Sequence, residues 1–251
     1  MSNKKNNIVI KTELIEQHNE KAGTLYIVST PIGNLQDMTL RSLEILKSVD
    51  LIACEDTRHT GTLLKHFEIK KPLVSYFQHS KLTKIEWLIE QLQAGKNIAL
   101  VSDAGTPGIS DPGQALVGKI RELSSTNEQI LDKISILPIP GPSAMAAAVS
   151  VSGMVVKDFY FAGFLPKKKG RQTLFKKFLT LECPIVIYES ANRLQRTLGD
   201  IRTYLGDSVE VFIAREITKM HEEYWRGNVV ELLSDLDNHV IKGEVVLVVK
   251  S

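Results

Sequence analysis

The chain has 251 residues, of which 43% are hydrophobic and 24% charged, and this balance excludes disorder as its main state. Its net charge of +2 points to no class of partner, so any nucleic-acid binding has to come from a local patch of charge. The sequence holds no run of about 18 apolar residues, so we expect no membrane-spanning helix.

Residues 1–22 are polar and lack the apolar core of a secretory signal peptide, so we expect a polar extension before the folded body. Cys54 and Cys183 form no CxxC pair. We interpret both as buried, reduced thiols of a cytoplasmic protein rather than as disulfide partners. The six histidines follow no metal-binding spacing, so no metal site is expected.

Short apolar runs alternate with helical patterns over residues 23–137. Strands are predicted at residues 25–28, 51–54, 73–76, 98–101 and 134–137, with helices between them, the first capped by Asp37. Four-residue strands without polar alternation are typical of a parallel sheet covered on both faces. The sequence therefore predicts an N-terminal α/β domain over 23–137.

The Pro-rich segment 138–142 is interpreted as a domain junction. Beyond it, strands are predicted at residues 159–161, 185–188, 209–214, 224–226 and 244–249, with helices over 143–151, 174–179 and 194–205. Because hairpin-like and helical connections alternate here, we expect a C-terminal α/β domain over 143–251 with a mixed sheet.

Three polar segments follow predicted strands of the first domain, at residues 29–34, 55–60 and 102–113. Ligands of open α/β sheets bind at the carboxyl ends of the strands, where these segments should lie. Segment 102–113 combines Asp103 with glycines that let backbone approach a ligand, and we interpret it as functional. Segment 29–34 could equally be a turn, and segment 55–60 a solvated loop. The P-loop, GxGxxG and GxSxG signatures are absent.

Residues 157–177 carry seven Lys or Arg side chains and one acid, Asp158. Such a run is either a solvated face or, with the glycines and Pro166 around it, a mobile loop that contacts phosphates. On the second interpretation, the phosphate contacts come from Lys167, Lys168, Lys169 and Arg171, which the family resemblance described below implies are contacts to RNA.

The motifs CEDTRHTGTLL, VSDAGTPGISDPG, PIPGPSA, FAGFLPKKKGR and KGEVVLVV occur in this order along the chain. Together they resemble the tetrapyrrole (corrin/porphyrin) methylase superfamily, and within it the small-subunit rRNA cytidine ribose 2′-O-methyltransferases. Siroheme- and cobalamin-pathway members carry Gly-Asp-Pro where this chain has Ser102-Asp103-Ala104, which favours the RNA branch. Longer members continue past the point where this sequence ends.

The resemblance implies two α/β domains with an S-adenosylmethionine cleft between them, and methylation of a cytidine in 16S rRNA near the decoding centre. It also implies a homodimer. By motif position, the implied cofactor-binding residues are Pro31, Ser102, Asp103, Ala104, Gly105, Ser143, Ala144, Glu189 and Ile217. We expect Glu55, Asp56 and Arg58 to act in catalysis by positioning the ribose O2′. The candidates for the base are Glu55, Asp56, His59 and the lysines 167–169.

Two other interpretations remain open. The chain could be a tetrapyrrole C-methyltransferase, which an assay with a tetrapyrrole beside one with rRNA would distinguish. It could also be a non-enzymatic RNA-binding protein that kept the fold, which need not bind S-adenosylmethionine.

Overall fold

The structure is a computed structural model that describes residues 22–76, 82–111, 113–126, 134–236 and 241–250. The expected polar extension lies outside these residues, apart from Ala22, which packs against the first core. Within the described parts of the chain, no helix is long and apolar enough to cross a membrane.

The first half forms a five-stranded sheet with strand order β3-β2-β4-β1-β5. Its elements are β1 (Thr24–Val28), α1 (Leu40–Ser48), β2 (Leu51–Cys54), α2 (Thr57–His66), β3 (Leu73–Ser75), α3 (Leu82–Gln93), β4 (Ile98–Val101), α4 (Gln114–Thr126) and β5 (Ser135–Ile139). All its strand pairs are parallel, which confirms the prediction. Helices α1 and α2 cover one face and α3 and α4 the other, so β2 and β4 are buried throughout.

The second half forms a five-stranded sheet with strand order β6-β7-β10-β8-β9. Its elements are α5 (Ala144–Ser152), β6 (Tyr160–Phe164), α6 (Arg171–Phe178), β7 (Ile185–Ser190), α7 (Ala191–Leu205), β8 (Glu210–Arg215), β9 (Glu223–Asn228), α8 (Val229–Leu236) and β10 (Glu244–Lys250). The β6–β7 pair is parallel and the other pairs are antiparallel, so the predicted mixed sheet is confirmed. Helices α6, α7 and α8 cover one face, and α5 packs on the other.

The first helix begins later than predicted. Thr39, not Asp37, is its N-cap, because Thr39 is the extended residue before α1 and its hydroxyl accepts a hydrogen bond from the Ser42 N–H at 3.0 Å. Asp37 instead ends a 3-10 turn that is capped by Asn34. The prediction for Asp37 was therefore wrong.

Three further features differ from the predictions. Helix α8 was not predicted from the sequence. The Pro-rich junction, predicted over 138–142, begins only after Ile139, because β5 includes Pro138 and Ile139. An edge strand such as β5 tolerates proline, since one side of it needs no ladder hydrogen bond. Cys54 is buried as predicted, whereas Cys183 is only half-buried.

Candidate active site between the two sheets

The loops that follow β1 and β4 are joined by backbone and side-chain hydrogen bonds. Thr30 and Gly105 exchange two backbone hydrogen bonds, at 2.9 and 3.0 Å. The Thr106 hydroxyl lies 2.9 Å from that of Ser29 and donates to the Pro142 carbonyl at 3.0 Å. These contacts tie the carboxyl edge of the first sheet to the segment that leads into the second.

A cavity of about 290 Å³ lies between these loops and the second sheet. The first half contributes the ends of β2 and β4, and the second half contributes the N-terminus of α5 and parts of β7, β8 and β10. Seven residues expected at the site lie in its wall, namely Glu55, Asp103, Ala104, Gly105, Ser143, Ala144 and Ile217. The structure thus brings together residues that are up to 162 positions apart in the sequence.

Four carboxyl groups line this cavity: Glu55, Asp103, Asp111 and Glu244. Burial, and next the charge of Asp103, raise the pKa of Glu55. Burial, and then the charges of Glu55, Asp103 and Glu244, raise the pKa of Asp111 to about 6. Such a cavity favours a cationic ligand, which would relieve the repulsion between the carboxylates. The described residues contain no group of His, Cys, Asp or Glu that could hold a metal ion.

Apolar side chains form the rest of the cavity wall. They include Ile32 from the first half and Phe164, Ile217 and Val246 from the second. Gly105 has a φ of +78°, and a Cβ there would lie 3.4 Å from the Ile32 side chain. The glycine therefore adopts a backbone conformation that other residues rarely take, and it keeps backbone exposed at the cavity wall.

Two expected cofactor residues lie beside this cavity rather than in its described lining. Ser102 is buried beneath it, where its hydroxyl donates to the Ala104 carbonyl at 3.3 Å and its carbonyl accepts from Thr30. Pro31 lines an adjoining cavity of about 590 Å³. Ser102 is thus placed to shape the Asp103 loop.

The polar run that begins at Glu55 is a strand-to-helix junction and not a loop. Asp56 is the N-cap of α2, and its carboxylate accepts from the Arg58 N–H at 2.8 Å. The Arg58 side chain is 90% exposed and pairs with Asp56 at 2.6 Å. A side-chain hydrogen bond from Arg58 lowers the pKa of Asp56 well below its usual range. The described lining of the cavity includes Glu55 but neither Asp56 nor Arg58.

Glu189 does not reach the cavity with its side chain. Successive residues of a strand face opposite sides, and Tyr188 already faces the cavity. The fully buried Glu189 carboxylate instead accepts from Arg193 at 3.0 Å and from Thr197 at 2.8 Å, under α7. A cofactor contact by this side chain is therefore contradicted by the geometry.

Arg171 is not available for phosphate contacts, because it is only 4% exposed. Its guanidinium donates to Asp200 at 2.7 Å, to Thr197 at 2.8 Å and to the Pro166 carbonyl at 3.3 Å. The prediction that Arg171 binds RNA was wrong, since its guanidinium is held in a buried network. This network fixes both ends of the lysine loop, residues 166–171.

Three lysines lie between Pro166 and Arg171 in this loop, and all three are exposed: Lys167, Lys168 and Lys169. Their loop starts next to Phe164, which lines the cavity, and therefore leaves from the cavity rim. The lysines are thus free to meet a polyanion that approaches the cavity.

Several cavity residues were not expected from the sequence. Asp111 was not singled out, although it lies in segment 102–113, which was interpreted as functional because it follows a buried strand. Tyr188 accepts a hydrogen bond from the Met145 N–H at 2.9 Å, and burial raises its pKa. Lys219 pairs with Glu216 and Glu244, both at 2.9 Å. These last contacts depend on how β8 and β10 pair, which no local pattern reveals.

A sequence model of the tetrapyrrole (corrin/porphyrin) methylases matches residues 24–233. The chain belongs to this family. Among curated members, the ribosomal RNA small subunit methyltransferase I of Synechocystis sp. is 48% identical over 228 residues, covering 90% of this chain and 78% of that protein. The protein of the same name from Thermotoga maritima is 46% identical over 226 residues, covering 90% and 97%.

The solved structure of the methyltransferase CobJ has the same fold as this methylase-family chain. The TM-score is 0.66 at 16% identity, over 92% of this chain and 95% of that one. The likeness supports the α/β fold described above.

Proposed function

We propose that this chain transfers the methyl group of S-adenosylmethionine to the ribose 2′-oxygen of a cytidine in 16S rRNA near the decoding centre. Relatives at 43–48% identity are named ribosomal RNA small subunit methyltransferase I, which supports the substrate class. The observation that carries the proposal is an acidic cavity at the strand ends beside an exposed lysine loop.

The residues of the cavity fit this cofactor by their chemistry. S-adenosylmethionine carries a sulfonium and an ammonium group, and Asp103 and Asp111 offer carboxylates to such cations, whereas Glu244 already pairs with Lys219. The apolar side chains of Ile32 and Ile217 suit the flat face of an adenine ring. When bound, the cofactor supplies a methyl group that is already activated by the positive charge on sulfur.

We assign the role of general base to Glu55. Its carboxylate lines the cavity, and burial raises its pKa, which makes it a stronger base than an ordinary glutamate. Glu55 accepts the proton of the ribose 2′-hydroxyl as the oxygen–methyl bond forms and the electron pair of the carbon–sulfur bond stays on sulfur. The Asp103 loop and α5 hold the reacting groups in line, which can supply about 7–11 kcal/mol.

The rRNA binds through Lys167, Lys168 and Lys169, which contact phosphates without reading bases. These lysines stand at the rim, so the polyanion stays outside the acidic cavity while one nucleotide reaches in. Because the substrate is ribosomal, we place the protein in the cytoplasm. The homodimer implied by the family resemblance remains part of the proposal, and sedimentation equilibrium tests it.

The proposal is tested with methyl-labelled S-adenosylmethionine and small ribosomal subunits that lack the modification. We expect label in 16S rRNA, on the ribose of one cytidine. A tetrapyrrole offered in parallel tests the other chemistry found in the family, and label on that compound alone would refute the proposal. Calorimetry with S-adenosylmethionine separately tests whether the chain has kept its cofactor.

A further inference from the structure

A second cavity, of about 590 Å³, lies between α2 and the segment that follows β1. It shares five lining residues with the candidate active site, namely Ile32, Asp103, Ala104, Lys219 and Glu244. The two cavities therefore adjoin each other. A molecule held in the second cavity would have one end beside Asp103, where the cofactor is proposed to bind.

One wall of this cavity is a single face of α2. His59, Thr62, Leu63 and His66 line it, at the i, i+3, i+4 and i+7 spacing of neighbours on one helix face. Leu63 is 8% exposed and forms an apolar floor, whereas the two imidazoles are exposed at the rim. The ring of His66 packs edge-on against Phe67, with 4.8 Å between the ring centroids, which restrains it.

The opposite wall is fixed against the second half of the chain. A Cβ on Gly33 would overlap the Lys219 side chain and would lie 2.9 Å from the Thr218 hydroxyl, so the two segments touch closely. Leu35 and Pro31 present apolar surface to the cavity from this wall. This cavity, called the slot below, thus combines apolar side chains with two exposed imidazoles, and its β1 side packs closely on the second half of the chain.

We propose that this slot holds the acceptor nucleotide, with its base against the α2 face that carries His59 and His66. This inference rests on the proposed function. Imidazole faces stack on unpaired bases of RNA, and a slot of this size accommodates a nucleoside. The ribose then points to the boundary between the two cavities, beside Asp103.

The charges of the slot favour a nucleoside over a tetrapyrrole that carries many carboxylates. Lys219 is the one Lys or Arg in its described lining, and this ammonium already pairs with Glu216 and Glu244. A polycarboxylate would thus meet the Asp103 carboxylate without an unpaired Lys or Arg to match its own charge. The base and ribose of a nucleotide bring no charge into the slot.

Histidine ring-proton NMR during a titration with cytidine 5′-monophosphate tests the slot directly. We expect the resonances of His59 and His66 to shift with saturation, while that of His221, an exposed histidine outside the slot, stays in place. His59→Ala and His66→Ala variants assign the resonances. Shifts absent at millimolar nucleotide, or equal at all three histidines, would overturn the proposal.

Kinetics with small ribosomal subunits give the second test. Because removal of one ring that stacks on a base typically weakens binding about tenfold, the His59→Ala/His66→Ala variant should raise KM for subunits about tenfold or more. Its affinity for S-adenosylmethionine should stay unchanged. His221→Ala is the matched control and should leave KM unaltered.

The two proposals fail in different ways. If the wild-type chain methylates subunits and the double variant keeps the wild-type KM, the slot is refuted and the methyltransferase function stands. If the wild-type chain does not methylate subunits, the function is refuted. The nucleotide titration then still decides whether the slot binds a nucleotide.

Discussion

Replacing Asp111 by Asn should make the ligand-free protein more stable at neutral pH. Asp111 is partly buried in the cavity with Glu55, Asp103 and Glu244, and its pKa is raised from 3.8 to about 6. The folded state therefore holds this proton more tightly than the unfolded chain does. Its contribution to stability is complete below about pH 4 and is lost as the pH rises through about 6.

The size of the effect follows from the two pKa values. A rise from 3.8 to about 6 corresponds to about 3 kcal/mol at pH 8, as an upper bound, and to about half of that at pH 5. Solvent that reaches the cavity reduces both figures. We therefore expect Asp111→Asn to raise the free energy of unfolding by about 1–3 kcal/mol at pH 8 and by less at pH 5.

Urea unfolding of both proteins at a series of pH values between 5 and 8 measures this difference. Asp235→Asn, at an exposed position on α8, is the matched control and should shift stability by the same small amount at every pH. Parallel pH profiles for wild type and Asp111→Asn would refute the reasoning about the acidic cavity.

Asp111→Asn should also lower the affinity for S-adenosylmethionine. An ionised Asp111 attracts a cation, so the affinity for S-adenosylmethionine should rise with pH through about 6 in the wild type. In Asp111→Asn this rise should vanish. A variant that is more stable but binds the cofactor less well would show that the repulsion between carboxylates serves ligand binding.

Four further variants separate the roles of neighbouring residues. Glu55→Gln should lower kcat by about 10²–10⁴-fold with unchanged cofactor affinity in calorimetry, and a wild-type kcat would remove Glu55 as the base. Asp56→Ala should cost about 1 kcal/mol in urea unfolding through loss of the α2 cap, with a far smaller effect on turnover than Glu55→Gln. Replacing Lys167, Lys168 and Lys169 by Ala should flatten the slope of log K for RNA binding against log salt concentration by about 0.7 for each phosphate that is no longer neutralised. Arg171→Ala should instead lower the free energy of unfolding by about 3–5 kcal/mol, because it breaks a buried ion pair. An unchanged salt slope in the triple variant would place RNA binding elsewhere.

The parallel sheet and its cleft could be predicted because both depend on local signals. Apolar runs such as 51–54 and 98–101, without polar alternation, indicated strands buried on both faces. The polar segments after them had to lie at the carboxyl edge, and Glu55 and Asp103 do line the cavity there. Here the position along the sequence was enough to determine the place in the fold.

The roles of Arg171 and Glu189 could not be read in the same way. Arg171 follows three lysines and has their charge, but its partner Asp200 is 29 positions away and is brought near only by α7. Glu189 directly follows the predicted strand 185–188, which is apolar on both faces, so no alternation showed which face its side chain would take. Both errors arose where a buried ionic network depends on tertiary contacts.

Nucleoside mass analysis of 16S rRNA measures the proposed ribose methylation most directly. Unmodified small subunits are incubated with the purified chain and S-adenosylmethionine, and their rRNA is then digested to nucleosides. We predict one 2′-O-methylcytidine per subunit, absent without the chain and strongly reduced with Glu55→Gln. Unmethylated rRNA, or a methyl group on a base instead of the ribose, would contradict it.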